Sequence, residues 1–440
     1  MSSAAHPGSG LHLAAALLLT LAPACEPTAP PVGTSDAGAS PNASILPAPL
    51  ATEAPELPDA GDAGLVGIVA DPAGRLIVPD AGPPAPEALR ADQPVPAEPP
   101  VTREVAGITL DAVFHWRDVP APPKASEVSA DGIREAQRLT ALTWKVDLSE
   151  SGRMRIDFTS RALPLPTHAE LRARADRYGN LVLWPNATEY RVIPPGALRT
   201  LLGERRVDVT PLATSTPKAQ GEGKRLGLVT RKIELGSPLA TLKLELAKAQ
   251  EAGDGGSLFC RVLVELAGVD PKTAACAPGE VPLSATYAWQ DGAGITLEVT
   301  SLTKRADLAQ NNLLTPPPGA AFSAAGLPAV PHGIFLSRDE LAAFRTTPVV
   351  MPPTTDPGVP GEGFVAVNHG DRLAYLLLDG VPVVAVPAAS ERYVIGPPRG
   401  RYVAQWRTFL GEKIDPPRTV EIPARLTQGG APDAGAPDGG

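Results

Sequence analysis

Residues 26–100 hold seventeen prolines, eleven acidic side chains and two arginines. A run of that composition cannot bury enough apolar surface to offset its ordering entropy. With so many prolines it reads as a disordered but semi-stiff spacer, extended and bristling with acid. One stretch inside it differs. Leu65–Val78 consists of two apolar runs around Asp71-Pro72-Ala73-Gly74, the pattern of an isolated hairpin, which is marginal in water by itself. The formal net charge of the chain is −9, and the spacer alone accounts for −9. The tail 427–440 adds −2 through Asp433 and Asp438, and residues 1–25 carry no charged side chain, so the body, 101–426, stands at +2. An acidic overall balance therefore says nothing about the partners of the part that folds.

Ahead of the spacer, Leu11–Ala24 is an apolar run ending at Cys25. It falls short of the ~20 residues a bilayer span needs and fits the apolar region of a signal peptide covering 1–24. Ala22-Pro23-Ala24 is a small-x-small cleavage site, and Leu21-Ala22-Pro23-Ala24-Cys25 resembles the lipobox of bacterial lipoproteins. That resemblance implies lipidation of Cys25 and export to the outer membrane or cell surface; a plain signal peptide would imply a secreted or periplasmic protein. A disordered spacer over 25–100, directly after the anchoring cysteine, is what a surface lipoprotein uses.

The body, 101–350, is dominated by apolar–polar alternation of period two. Leu142–Leu148 and Arg153–Thr159 alternate around Ser149–Gly152, predicting a hairpin. Leu171–Arg177, Leu181–Trp184 and Glu189–Ile193 continue it as a meander, and Ala197–Gly203 suits a short helix. Leu239–Gln250 satisfies helix and strand spacing alike. Gly253–Gly256 reads as a turn before an apolar stretch at Ser257–Ala267; strands are expected near Leu283–Trp289 and Ile295–Leu302. Ser337-Arg-Asp-Glu340 has the form of a capping box opening a short helix. The fold class is α+β, mainly antiparallel β.

Cys260 and Cys276 are the thiols left once Cys25 is assigned, and an exported chain meets oxidising conditions, so a disulfide between them is expected. Ten arginines against five acids lie between Arg153 and Arg206, a local +5. Arg172, Arg174, Arg177 and Arg191 are accordingly candidate contacts for an anionic surface such as lipid headgroups or an acidic glycan. Two plainer readings stand beside that one: arginine as the ordinary solvated strand residue, or a basic face that meets the chain's own acidic spacer. Export argues against nucleic acid.

Short strands recur near every ten residues from Gly363 to Ile422, the signature of a small β-sandwich over 362–425, followed by a disordered tail, 427–440. Tyr375-Leu-Leu-Leu-Asp-Gly380 and Pro398-Arg-Gly-Arg-Tyr402 resemble the PEGA-type domain of bacterial surface proteins. The resemblance covers about 65 residues, lacks the tetrapeptide that gives the family its name, and implies an accessory β module without catalytic residues.

No catalytic constellation is legible. His115, His168, His332 and His369 stand apart from one another, and neither a Gly-x-Ser-x-Gly elbow nor a phosphate-binding Gly-x-x-x-x-Gly-Lys loop is present. No metal site or cofactor is expected. The reading is a non-catalytic envelope lipoprotein, membrane-anchored through Cys25, whose body binds a protein partner or an envelope glycan. The alternatives are a periplasmic carrier with an apolar concavity in residues 140–305, and a hydrolase with a nonlocal site.

Overall fold

The computed structural model describes residues 69–70, 76–77, 87–122, 128–204, 206–207, 212–236, 239–324, 333–345, 359 and 361–428. The signal segment, Cys25, most of the spacer and the tail beyond 428 lie outside the described residues. The chain divides into two units, Met1–Asp80 and Ala81–Gly440. In the first, β1 (Val69–Ala70) pairs antiparallel with β2 (Leu76–Ile77), the hairpin expected around Asp71–Gly74.

The second unit is mainly β. Its strands are β3 (Glu87–Ala88), β4 (Glu104–Arg117), β5 (Leu142–Ser149), β6 (Arg153–Phe158), β7 (Glu170–Arg174), β8 (Arg177–Leu183), β9 (Glu189–Ile193), β10 (Lys218–Arg225), β11 (Leu228–Gly236), β12 (Ala240–Lys248), β13 (Glu280–Trp289), β14 (Gly294–Ala309) and β15 (Ala321–Phe322). These thirteen form one sheet in the order β10-β11-β12-β13-β14-β4-β5-β6-β7-β8-β9-β15, with β3 beside β8. Pairing is antiparallel except for β3 on β8 and β15 on β9. The expected hairpin and meander are β5 to β9, and 240–248 is a strand, because Leu242, Leu244 and Leu246 all point into the core.

One face of the sheet is apolar and carries helix α3 (Gly253–Leu266). Trp144, Val146 and Leu148 of β5, Met154 and Ile156 of β6, and Leu283 and Leu297 of β13 and β14 pack with Phe259, Val262 and Leu263 of the helix. The glycines 253–256 open this helix instead of forming a separate turn. A Cβ on Gly255 would sit 2.7 Å from the Arg153 carbonyl oxygen, and one on Gly256 would sit 2.3 Å from that of Glu280. Glycine is what lets the helix backbone lie directly on the strands. The Cys260–Cys276 disulfide, with Cα atoms 5.6 Å apart, pins the following loop to the helix.

Residues 361–428 form two small sheets. β16 (Phe364–Asn368) lies between β19 (Ser390–Val394) and β22 (Ala424–Thr427), and β18 (Val381–Val386), β17 (Ala374–Leu378), β20 (Gly400–Arg407) and β21 (Arg418–Ile422) make the other. Helices α1 (Ala130–Leu139) and α4 (Arg338–Ala342) join their core through Ile133, Ala136 and Leu341. Helix α2 (Leu198–Glu204) is the short helix expected near 197–203, and α4 opens on the Ser337/Glu340 capping box. The residues that carried the PEGA-like resemblance are structural: Asp379 and Gly380 take positive φ in the β17–β18 turn, and Asp379 Oδ1 accepts the Val403 N–H at 2.8 Å.

Candidate functional site

Three regions of the second unit bring functional groups together. The first is the arginine-rich stretch. On β6 and β7 the apolar positions Met154, Ile156, Leu171 and Ala173 face α3, so strand alternation sends Arg153, Arg155, Glu170, Arg172 and Arg174 to the opposite face. That face is covered. Residues 87–100, which the sequence reading gave to the spacer, run across it with Val101, beside 310–323. Glu98 pairs with Arg153 and with Arg174 (3.1 Å) and accepts the Thr315 N–H at 2.8 Å. Arg172, 5% exposed, bonds Glu170 (2.7 Å) and donates to the Leu314 carbonyl (2.6 Å). Tyr190 receives the Val95 N–H and returns its hydroxyl to the Val95 carbonyl, at 3.0 and 3.1 Å. Burial alone would push the Glu98 carboxyl up; the hydrogen bonds from Arg153 and Thr315 and the charge of Arg174 hold it below the usual carboxylate range.

Of the four arginines expected to meet an anionic surface, Arg172 and Arg174 are therefore committed inside the protein. Arg191 is paired with Glu204 at 3.2 Å, and Arg177, opposite Arg174 in the β7–β8 ladder, lines a 20 Å³ crevice with Arg261 and Glu265. The physical reason is strand geometry combined with the spacer's last fourteen residues. The basic face meets the chain's own acidic segment, one of the three readings the sequence left open.

The second region is a groove of about 370 Å³ on the polar face of β10 to β14. Its groups come from five strands: Gln220 and Arg225 on β10, Lys232 on β11, Lys243 and Glu245 on β12, Thr286 on β13, Thr296 and Glu298 on β14. The β10–β11 hairpin curls over this face, so that Arg225 Nε reaches Glu245 at 2.8 Å and Arg225 Nη1 lies 3.8 Å from Glu298. Lys232 Nζ is 3.1 Å from the other oxygen of Glu245, and His115 of β4 is 3.6 Å from Glu298. Burial pushes the Glu245 carboxyl up, but Arg225 and Lys232 together hold it below its ordinary value. The groove thus holds a fixed charge pattern, three hydroxyls (Ser284, Thr286, Thr296) and no aromatic lining group. None of its polar residues was singled out from the sequence, because five strands up to eighty residues apart supply them.

The third region is an apolar cleft of about 30 Å³ between the sheet, α3 and the turn at Phe409–Leu410, lined among others by Phe114, Trp144, Leu242, Leu263 and Tyr287. Two indoles hold the turn that closes it: Trp116 Nε1 donates to the Phe409 carbonyl at 3.1 Å, and Trp289 Nε1 to the Leu410 carbonyl at 3.2 Å. The Trp144 Nε1 is buried without a hydrogen-bond partner. An apolar concavity was expected in 140–305, and the cleft draws on that range, but its volume admits roughly two waters.

Of the isolated histidines, His115 faces Glu298, His168 lies 3.3 Å from Asp157 and His369 is exposed; His332 is outside the described residues. Among the described residues no three His, Cys, Asp or Glu side chains gather in a metal-binding arrangement. No helix among them is long and apolar enough to cross a membrane.

No family model matches the chain, and no curated protein does. Solved structures align with parts of it at low similarity. A structure of PNGF-II aligns over 50% of this chain and 31% of its own length, with 11% identity and a TM-score of 0.28. The MucA/MucB complex of Pseudomonas aeruginosa aligns over 65% of this chain and 94% of that one, with 11% identity and a TM-score of 0.24. A LolA superfamily protein from Nitrosomonas europaea aligns over 49% and 92%, with 6% identity and a TM-score of 0.21. The chain spans less than a third of PNGF-II.

Proposed function

We propose that this chain is a non-catalytic envelope protein, lipid-anchored at Cys25, that binds a partner in the polar groove of β10 to β14. The observation that supports this reading is the groove's volume, about 370 Å³, together with its convergent charges and hydroxyls. Binding sites run from roughly 300 to 1,000 Å³ and orient their ligands with a few placed polar groups. The arginine-rich face, the other candidate, is occupied by residues 87–101 and 310–323. A photo-crosslinking residue at Thr286 in the full-length protein, expressed in its own cells, tests the reading. A discrete adduct is expected there and not from the same residue at the exposed Arg401; equal adducts, or none, would sink it. The anchor is tested separately by palmitate labelling, expected in the wild type and lost in Cys25→Ser.

A carrier is the second reading, supported by the predominantly apolar lining of the cleft under Phe409. Its small volume means that a ligand needs the 408–412 turn to lift. Fluorescence enhancement of N-phenylnaphthylamine, abolished by Ala285→Phe, is the expected result; equal enhancement in the variant removes this reading.

A further inference from the structure

We propose that β10 is a docking edge to which an acidic, extended segment of a partner protein adds as a further strand, laying alternate side chains into the groove. The inference rests on the reading of the groove as a binding site and specifies its occupant. Three independent features of the β10–β11 hairpin carry it.

The first is an open hydrogen-bonding edge. Among the described residues β10 pairs with β11 alone, and it is exposed or half-buried along its whole length. The two-residue turn Leu226–Gly227 fixes which groups point outward. Arg225 and Leu228 close the hairpin as a hydrogen-bonded pair, so Gly223 and Thr230 form the next such pair. The amides and carbonyls of Glu222 and Lys224 therefore face away from β11. Gly223 lies between them, and a Cβ there would stand 2.6 Å from the Lys232 side chain, so the wall between edge and groove is kept low.

The second is the conformation of Leu226. It adopts φ +49° at a position that hairpins normally fill with Asn or Gly, and it is 45% exposed beside Val229, 67% exposed. An apolar, branched side chain held in a left-handed conformation and left half exposed is strain kept for an external contact. The pair supplies an apolar anchor at the end of the edge.

The third is charge. Residues 218–248 contain seven Lys and Arg against three Glu, a net +4. Lys218 and Lys224 are exposed on the edge strand itself. Lysines at a sheet edge oppose pairing with a second copy, which would bring like charges together, and favour a strand that carries acid. Strand addition obtains its affinity from main-chain bonds and its selectivity from alternate side chains. Lys232 and Lys243, which lie 3.1 and 3.7 Å from Glu245 and Glu234, are the groove's ammonium groups that acidic ones would meet.

Fluorescence anisotropy of a fluorescein-labelled decapeptide of alternating Glu and Val, titrated with the full-length protein, tests the proposal. Saturable binding is expected, at least tenfold weaker for the corresponding Lys/Val peptide. Lys224→Pro removes an outward amide without touching the ladder to β11 and should weaken binding tenfold or more. Leu226→Asn relaxes the turn, so it should raise thermal stability while weakening binding several-fold; a purely structural role would not separate the two. Lys232→Glu tests the groove. If it abolishes binding while Lys224→Pro binds like wild type, strand addition is wrong and the groove reading stands. If both variants bind like wild type, both fail. Absence of binding by the wild type overturns the proposal. So does binding that appears only after residues 1–80 are removed, which would assign the edge to the chain's own spacer.

Discussion

Glu98 grips Arg153 from fifty-five residues upstream, and the same carboxylate takes the Thr315 N–H and the Arg174 guanidinium. One acidic side chain thus joins the end of the proline-rich spacer, two neighbouring strands and the 310–315 segment. The contact converts the last residues of a low-complexity run into part of the folded body. It is also why Arg153 and Arg174, in a stretch with a local excess of arginine, are turned to the protein's own carboxylate.

Glu98→Gln should accordingly destabilise the second unit, because it leaves Arg153 partly desolvated without its counter-charge and Arg174 with Asp176 alone. Breaking a fully buried pair costs ~3–5 kcal/mol and an exposed one under ~1, so about 2 kcal/mol is expected for this intermediate case. Its carboxyl is held below the unfolded value, so the stabilisation is present above about pH 4.5 and lost as pH falls through the lower folded value. Urea unfolding at pH 7 and pH 3.5 checks both parts: the variant's deficit should shrink in acid.

Gly256→Ala runs against helix propensity. In an exposed helix the change stabilises by ~1 kcal/mol, yet here the new methyl would meet the Glu280 carbonyl at 2.3 Å and Val281 Cγ2 at 2.9 Å. Forcing α3 off the sheet should cost ~1–3 kcal/mol, as overpacking does. A raised melting temperature would show that α3 does not rest on β13 through these glycines.

Much of this architecture is legible in the chain because strand alternation is a local signal. β5 to β9, β13 and β14 sit where period-two patterns place them, and the 361–428 strands, several buried on both faces, sit where turn residues recurring near every ten residues bracket them. The parts that escape are those whose physics is nonlocal. Gly253–Gly256 has the composition of a turn, and only the closeness of Glu280 and Arg153 explains it as a helix. β10, Lys218–Arg225, has no apolar face because both its faces are wet, so it shows no alternation to find. The groove's charges meet only once β10 curls over β14, and Glu98 is one acid among eleven until its partners are known.

The Cys260–Cys276 bridge closes fifteen intervening residues, a loop whose constraint on the unfolded chain is worth ~3 kcal/mol. Cys260→Ser with Cys276→Ser should lose about that much in guanidinium unfolding. Adding reductant should lower the wild type towards the double variant and leave the variant unchanged; a wild type insensitive to reductant would show that the bridge contributes nothing.

Glu265 gives the pH dependence with the opposite sign to Glu98. It is 2% exposed, accepts the Leu198 N–H at 2.6 Å, and has Arg199, Arg261, Arg177 and Asp270 around it. Burial pushes its carboxyl up to about 7, outweighing the Leu198 hydrogen bond; Asp270 pushes the same way and Arg199 opposes. The folded state therefore holds a proton that the unfolded chain releases near pH 4.5. Stability should fall as pH rises from about 4.5 to about 7, by about 3 kcal/mol in all, and level off above. Glu265→Gln keeps an acceptor for the Leu198 N–H and carries no charge. It should raise the unfolding free energy at pH 8 by as much as that and flatten the profile between pH 4.5 and 7. The difference between the two proteins in urea titrations across this range is the measurement, and parallel profiles would show that Glu265 is ionised in the folded protein throughout.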